Sequence, residues 1–246
     1  MKINTAFILA GGRGTRFKEQ TETIPKPMIK ANGFPLLDYI IKNYTKYDVK
    51  NIFILAGYKK EVIYDYYSEK SISKTSENNF VIDNNINIRV LDTGDETGTA
   101  GRVKMGIDEL KEDYFYLTYG DGISNVNIKK LTEFHFRSEA IGTVTAVRPP
   151  ARFGSLKIEN SYVTDFAEKD LANEGYINGG FFVFSKSLNE YLIETSEPLE
   201  QKPLRDLAKT NNLKAFKHNG YWRPVDTIRE LELLEKDLVE NNIVYE

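Results

Sequence analysis

A chain of 246 residues, 41% hydrophobic and 28% charged, has the composition of an ordinary globular protein and the length for one large α/β domain or two small ones. Its net charge of −3 provides no composition-driven basic face, which disfavours nucleic-acid binding through phosphate contacts. The absence of cysteine excludes disulfides, thiolate catalysis and Cys-ligated metal centres, and the two histidines, His135 and His218, stand too far apart for a multi-histidine motif.

Ala6–Ala10 is a short apolar run that ends in glycines, the pattern of a buried strand leading into a tight turn. Pro35–Tyr47 places Leu36, Leu37, Ile40, Ile41 and Tyr44 on one helical face, opened by proline. Asn51–Ala56 is a second buried strand and Glu61–Tyr67 fits a helix. Lys70–Asn79 is polar and is expected to form a mobile loop or lid. Ile86–Leu91, a helix over Thr99–Lys111 and a strand over Tyr114–Tyr119 follow, the last ending in Gly120-Asp121-Gly122. This alternation predicts a doubly wound, mostly parallel α/β sheet. Ligands of such sheets sit beyond the carboxyl ends of the strands, so the Gly-rich turn and Asp121 should face one crevice.

The second half differs. Ala140–Val147, Ser155–Ile158, Tyr162–Phe166 and Tyr176–Phe184 have the spacing of hairpin strands, giving a mixed-sheet half, and Ile228–Glu240 closes the chain with Leu231, Leu234 and Leu238 on one helical face. No linker or repeat separates the halves. The expectation is one domain over 1–246, with a nucleotide-binding half over about 1–140 and a substrate half over about 141–246. No apolar stretch approaches a membrane span, and the first apolar run lacks a small-residue cleavage site. A soluble, cytoplasmic protein is expected.

The chemistry begins at Gly11-Gly12-Arg13-Gly14-Thr15-Arg16, followed by Pro25-Lys26-Pro27-Met28. Glycines let backbone N–H groups approach a ligand, and Arg13, Arg16 and Lys26 add positive charge, so the ligand implied is a polyphosphate. Two familiar phosphate loops fail here. No G-x-x-x-x-G-K-[ST] string occurs, and the dinucleotide fingerprint meets Phe17 where it needs a third small residue.

The string L-A-G-G-x-G-T-R followed by P-K-P resembles the opening signature of the sugar-1-phosphate nucleotidylyltransferases. Later motifs extend the resemblance in order to the C-terminus. They are Asp92-Thr93-Gly94-Asp95 with Thr97 and Gly101-Arg102, then Thr118-Tyr119-Gly120-Asp121-Gly122, then Pro149-Pro150-Ala151-Arg152-Phe153-Gly154. Ile177-Asn178-Gly179-Gly180, Tyr221-Trp222 and Pro224-Val225-Asp226-Thr227 complete the set. The D-T-G-D and P-P-x-R-F-G strings look like the glucose-1-phosphate cytidylyltransferase branch more than its thymidylyl or guanylyl relatives.

That resemblance implies a Rossmann-like nucleotidyltransferase fold and a reaction in which CTP and a sugar-1-phosphate, best matched by α-D-glucose-1-phosphate, give CDP-sugar and pyrophosphate. No protein nucleophile is required, because the attacking phosphate is already ionised. Catalysis is then positioning and charge neutralisation. Asp121, a strand-end carboxylate flanked by glycines, is a candidate Mg²⁺ ligand, and the resemblance pairs it with Asp226. A turn role for Asp121 and an N-cap role for Asp226 are the structural alternatives.

Lys26 is expected to bridge the phosphates and Arg16 to meet the leaving pyrophosphate; solvated surface charge is the alternative for both. Nucleotide contacts are implied for Leu9, Ala10, Gly11, Gly12, Arg13, Gly14, Thr15, Arg16, Lys26, Thr97, Arg102 and Gly120. Acceptor contacts are implied for Arg152, Lys169, Asn178, Gly179 and Trp222. Lys169 departs from the E-K-P pattern, since Asp170 stands in the proline position, and the segment from Tyr58 to Asp92 is about ten residues shorter than the pattern. Both departures bear on the acceptor. A homo-oligomer is also expected. Other readings stay open at this stage: another nucleoside triphosphate or acceptor phosphate, or a catalytically silent nucleotide-sugar sensor. A glycosyltransferase of similar fold fits less well, because Asp121-Gly122-Ile123 lacks the second carboxylate of a D-x-D motif.

Overall fold

The computed structural model describes residues 2–14, 17, 23–149, 155–159, 161–167, 175–193 and 196–240. Thr15, Arg16, Arg152 and Lys169 therefore lie outside the described residues.

The centre is a nine-stranded sheet. Four parallel strands form its middle: β1 (Thr5–Ala10), β4 (Asn51–Ala56), β7 (Ile86–Asp92) and β8 (Tyr114–Tyr119), with β1 between β8 and β4. All six residues of β1 are buried, because both faces of a parallel strand are covered by helices. The two short strands β2 (Lys30–Ala31) and β3 (Phe34–Pro35) pair with each other outside this sheet.

Antiparallel strands flank the parallel centre. On one side β6 (Asn79–Ile82) pairs with β7 and β5 (Ser73–Ser76) forms the edge. On the other side β13 (Ile177–Ser185) pairs antiparallel with β8 and with β10 (Gly142–Val147). β14 (Leu213–Lys217) closes that edge parallel to β10. A separate hairpin joins β11 (Ser155–Glu159) to β12 (Tyr162–Ala167). The doubly wound α/β class thus stands, with a parallel middle and mixed margins.

Strand alternation sorts the core into two layers. Ala6, Ile8 and Ala10 face one layer with α1 (Leu36–Thr45), α2 (Lys60–Lys70), α4 (Ile128–His135) and α6 (Ile228–Glu240). Phe7 and Leu9 face the other with α3 (Thr99–Asp108) and α5 (Lys202–Lys209). Among the described residues no helix is long and apolar enough to cross a membrane.

Three strong patterns fold with the expected bounds: Asn51–Ala56, Tyr114–Tyr119 and Ile228–Glu240. The expected loop over Lys70–Asn79 is corrected to the start of a hairpin. Ser73 pairs with Val81 and Lys74 with Phe80, and the Lys74 ammonium lies 5.3 Å from the centre of the Phe80 ring. An exposed edge strand needs backbone partners rather than an apolar stripe, so composition alone misreads it. The helices α4 and α5 and the strand β14 are additional to the sequence reading. α4 starts where Asn127 accepts a hydrogen bond from the Lys130 N–H at 2.9 Å, an N-cap.

Candidate active site

The glycine loop after β1 and the Gly120–Asp121 turn after β8 emerge side by side, because β1 and β8 are neighbours in the sheet. The Gly120 N–H donates to Leu9 C=O at 3.0 Å. A Cβ at Gly120 would lie 2.7 Å from both that oxygen and the Pro27 ring, so only glycine lets the two strand ends and the Pro25–Met28 segment close up. Pro25 then leads a single 3₁₀ turn over Lys26–Met28, closed by Met28 N–H to Pro25 C=O at 2.8 Å. The turn presents Lys26 to the carboxyl end of the sheet.

Asp226 arrives from far along the chain. β15 (Trp222–Pro224) pairs antiparallel with β9 (Gly122–Ser124), the strand directly after Asp121, and Val225 N–H donates to Asp121 C=O at 2.9 Å. The next residue is Asp226. Its alternative role as the cap of α6 is taken by Thr227. The Thr227 Oγ1 caps the helix by accepting from Glu230 N–H at 3.2 Å, and the Glu230 carboxylate accepts from Asp226 N–H at 2.8 Å, one residue before the cap. The Asp226 carboxylate faces Lys26 instead.

The three charges meet closely. Lys26 Nζ donates to Asp121 Oδ2 at 2.6 Å and to Asp226 Oδ1 at 2.5 Å, and Lys26 is 8% exposed. Burial alone would lower the Lys26 ammonium, but the two carboxylates outweigh it and hold its pKa above the ordinary lysine value. Two carboxylates that share one small cation also suit a hard divalent ion. Mg²⁺ takes one or two protein carboxylates and completes its shell with water and phosphate oxygens, and no third acidic or histidine side chain joins this pair among the described residues. The donor set fits Mg²⁺.

A cleft of about 600 Å³ opens over this centre. The structure brings all the described members of the nucleotide set to its walls: Leu9, Ala10, Gly11, Gly12, Arg13, Gly14, Lys26, Thr97, Arg102 and Gly120, together with Asp121 and Asp226. A Cβ at Gly12 would meet nothing within 4 Å, so the protein's own packing does not demand glycine there. The open space belongs to the cleft. Arg13 pairs with Glu96 across the loop mouth.

Arg102 has a different setting from an arginine at a solvent-facing helix surface. It is 3% exposed, and its guanidinium donates to the carbonyls of Gly11 at 3.0 Å, Gly94 at 2.8 Å, Ala56 and Asp95 at 3.3 Å, and to the Thr93 hydroxyl. It ties the glycine loop to the turns after β4 and β7. A Cβ at Gly11 would lie 2.0 Å from its Nη1, so glycine at that position makes room for the brace.

The acceptor set is represented by three described residues. The Trp222 indole N–H donates to Gly179 C=O at 2.7 Å, and Asn178 Nδ2 donates to the Tyr119 hydroxyl at 3.2 Å. The Tyr221 hydroxyl donates to Asp237 at 2.9 Å. Tyr119 lines the cleft and links Asn178 to its wall, whereas Asn178, Gly179 and Trp222 themselves lie outside the cleft lining. Thr99, Pro198 and Glu200 also line the cleft, and sequence reading missed them. Thr99 and Glu200 are bonded at 3.1 Å across 101 residues, a separation that carries no local signal.

This geometry agrees with comparison to known proteins. The family model described as Nucleotidyl transferase matches residues 5–240. A glucose-1-phosphate cytidylyltransferase from Salmonella typhi is 38% identical over 241 residues, covering 94% of each chain. A probable glucose-1-phosphate cytidylyltransferase from Bacillus subtilis (strain 168) is 36% identical over 239 residues, covering 92% of each. Among solved structures, HddC from Yersinia pseudotuberculosis superposes with a TM-score of 0.71 at 25% identity, over 96% of this chain and 100% of that one. The chain belongs to the nucleotidyl transferase family, as a member similar to the glucose-1-phosphate cytidylyltransferases along nearly its whole length.

Proposed function

We propose that this protein transfers the cytidylyl group of CTP to a sugar-1-phosphate, with α-D-glucose-1-phosphate the best-matched acceptor, releasing pyrophosphate. The observation that carries the reading is the Lys26 ammonium held between Asp121 and Asp226 at the edge of a glycine-lined cleft. The 36–38% identity to glucose-1-phosphate cytidylyltransferases supports the choice of CTP and glucose-1-phosphate.

In this reaction an oxygen of the sugar phosphate attacks the α-phosphorus of CTP in line. The bond from that phosphorus to the oxygen bridging it to the β-phosphate breaks, and pyrophosphate leaves with the electron pair. Two anions must approach closely. Unit charges 4 Å apart repel by about 4 kcal/mol at an effective dielectric near 20, so the chain has to offset that repulsion. Lys26 does so at the α-phosphate and the attacking phosphate. Arg16 is assigned to the leaving pyrophosphate. Asp121 and Asp226 would hold Mg²⁺, which supplies further charge neutralisation when bound. The backbone of Gly11, Gly12 and Gly14 cradles the triphosphate, Arg13 and Thr15 are assigned to it as well, and Leu9, Ala10, Thr97 and Gly120 edge the base. Arg102 keeps this loop in place from below.

The acceptor is assigned to Arg152, Lys169, Asn178, Gly179 and Trp222, so that residues up to about 140 serve the nucleotide and the remainder the sugar phosphate within one domain. The same reading makes the protein a cytoplasmic enzyme with small-molecule substrates. Assembly into a homo-oligomer is part of the proposal and is checked by light scattering. The deciding experiment measures pyrophosphate release from CTP, UTP, dTTP and GTP against a set of sugar-1-phosphates. Efficient turnover of CTP with glucose-1-phosphate is expected. Faster turnover of dTTP or UTP with the same acceptor would reject the cytidylyl assignment.

A further inference from the structure

Glu200 stands in the wall of the active cleft on a segment that the phosphate chemistry does not use. One carboxylate oxygen accepts from the Tyr119 hydroxyl and the other accepts from Thr99 Oγ1 at 3.1 Å. Thr99 Oγ1 in turn accepts from Leu199 N–H at 2.7 Å, which fixes the loop that carries Glu200 against the start of α3. The side chain is therefore anchored from two directions, although the residue is exposed to the cleft. An ionised carboxylate has about four lone-pair sites, and these contacts fill two.

Charge decides what the remaining sites receive. A carboxylate repels a triphosphate and offers nothing to a carbonyl, so what it can receive from either substrate is a neutral hydrogen-bond donor. Tyr119 supplies the direction. Its hydroxyl donates to Glu200 and accepts from Asn178 Nδ2 at 3.2 Å, so Glu200 is joined to the Asn178-Gly179-Gly180 turn of β13. Gly180 has a φ of +78°, and Asn178 Oδ1 accepts from its N–H at 2.8 Å, which makes the turn a rigid support for this chain of bonds.

We infer that Glu200 is an acceptor-specificity residue, its carboxylate receiving a hydrogen bond from one hydroxyl of the sugar-1-phosphate. The inference rests on the transferase reading proposed above and deepens it. A site built to bind a hydroxyl rejects the analogue that lacks it, because the carboxylate then gains no hydrogen bond to replace the water it gives up when the sugar seats. Glu200 would thus choose among sugar-1-phosphates without affecting the nucleotide.

The test compares kcat/KM for glucose-1-phosphate with kcat/KM for its 2-, 3-, 4- and 6-deoxy analogues, all with CTP, in the natural enzyme and in Glu200→Gln. One analogue should be strongly disfavoured by the natural enzyme. In Glu200→Gln the preference for that hydroxyl should fall about ten- to a hundredfold, with the other three ratios and the KM for CTP changed less than threefold. Tyr119→Phe, which keeps the ring against Phe182 and removes the hydroxyl that links Glu200 to Asn178, should lower the same ratio by a smaller factor. It carries the test if Glu200→Gln does not fold.

Unchanged hydroxyl ratios, or a KM for CTP that rises as much as that for the acceptor, would overturn the inference while leaving the transferase reading intact. If the natural enzyme turns over a different sugar-1-phosphate, the glucose assignment fails, and the same ratios measured on that acceptor decide the role of Glu200. Failure to use any sugar phosphate would reject both.

Discussion

Lys26 Nζ and Asp226 Oδ1 are 2.5 Å apart, although 200 residues of chain separate them. One buried ammonium bonded to two carboxylates leaves the cluster with a net charge of −1, which favours a cation over a bare anion. Phosphates or a divalent ion that enter it exchange partners with charges already in position, which limits the reorganisation that the reaction requires.

Asp121→Asn and Asp226→Asn should each lower kcat by at least about 10²–10³, the usual cost of removing one group that stabilises charge in the transition state. Far-UV circular dichroism should be unchanged, since both side chains lie at strand ends beside the cleft rather than in the core. The effect should fall on kcat more than on the KM for CTP. Normal turnover of Asp121→Asn at saturating Mg²⁺ would remove the carboxylate pair from the mechanism.

Lys26→Ala should cost roughly a hundredfold in kcat/KM, about 3 kcal/mol of transition-state stabilisation. Lys50→Ala serves as the control, because Lys50 pairs with Asp48 at 3.4 Å away from the cleft. A ratio of less than fivefold between the two variants would return Lys26 to the status of an ordinary paired lysine.

Arg102→Lys should destabilise the protein by about 2 kcal/mol or more in urea unfolding, because a single ammonium cannot reach the four carbonyls and the hydroxyl that the planar guanidinium serves. The variant should also raise the KM for nucleotide, since Gly11 loses its brace. Unaltered stability would show that the carbonyls find other partners.

His135 provides a stability prediction with a defined pH window. It is 1% exposed, its Nδ1 lies 2.9 Å from Thr143 Oγ1, and burial lowers its pKa to about 4 from the ordinary histidine value of 6.5. The unfolded chain therefore binds the proton first as pH falls. Stability from neutral His135 is complete above the unfolded pKa, declines as pH drops from about 6.5 to about 4, and is constant below, a total of about 3 kcal/mol. Guanidinium unfolding of the natural protein and of His135→Gln at pH 7 and pH 4 should differ in pH dependence by that amount. Parallel profiles would refute the buried neutral imidazole.

Much of the fold is legible along the chain because burial imprints a local period. A continuous apolar run such as Ala6–Ala10 needs cover on both faces, and that requirement alone predicts a central parallel strand with helices above and below. The Leu231, Leu234 and Leu238 spacing gives α6 its length in the same way. The hairpin over β5 and β6 was illegible for the opposite reason: Ser73–Ser76 is exposed and gains its backbone hydrogen bonds from β6, which leaves no apolar signature.

The sequence by itself determined the family resemblance, the glycine-rich loop, the alternation of strands and helices, and the residue types proposed for charge neutralisation. Only the tertiary structure decided which of those residues meet. Strand order puts the end of β1 beside the end of β8, and the β9–β15 ladder delivers Asp226 to both. It also turned Arg102 into a buried brace, gave the α6 cap to Thr227 and set Glu200 against Tyr119. The physical reason is range. Helix and strand periods are written over a few neighbouring residues, whereas a site is made by hydrogen bonds and ion pairs between chain segments about 100 to 200 residues apart, and the packing of the whole sheet brings those together.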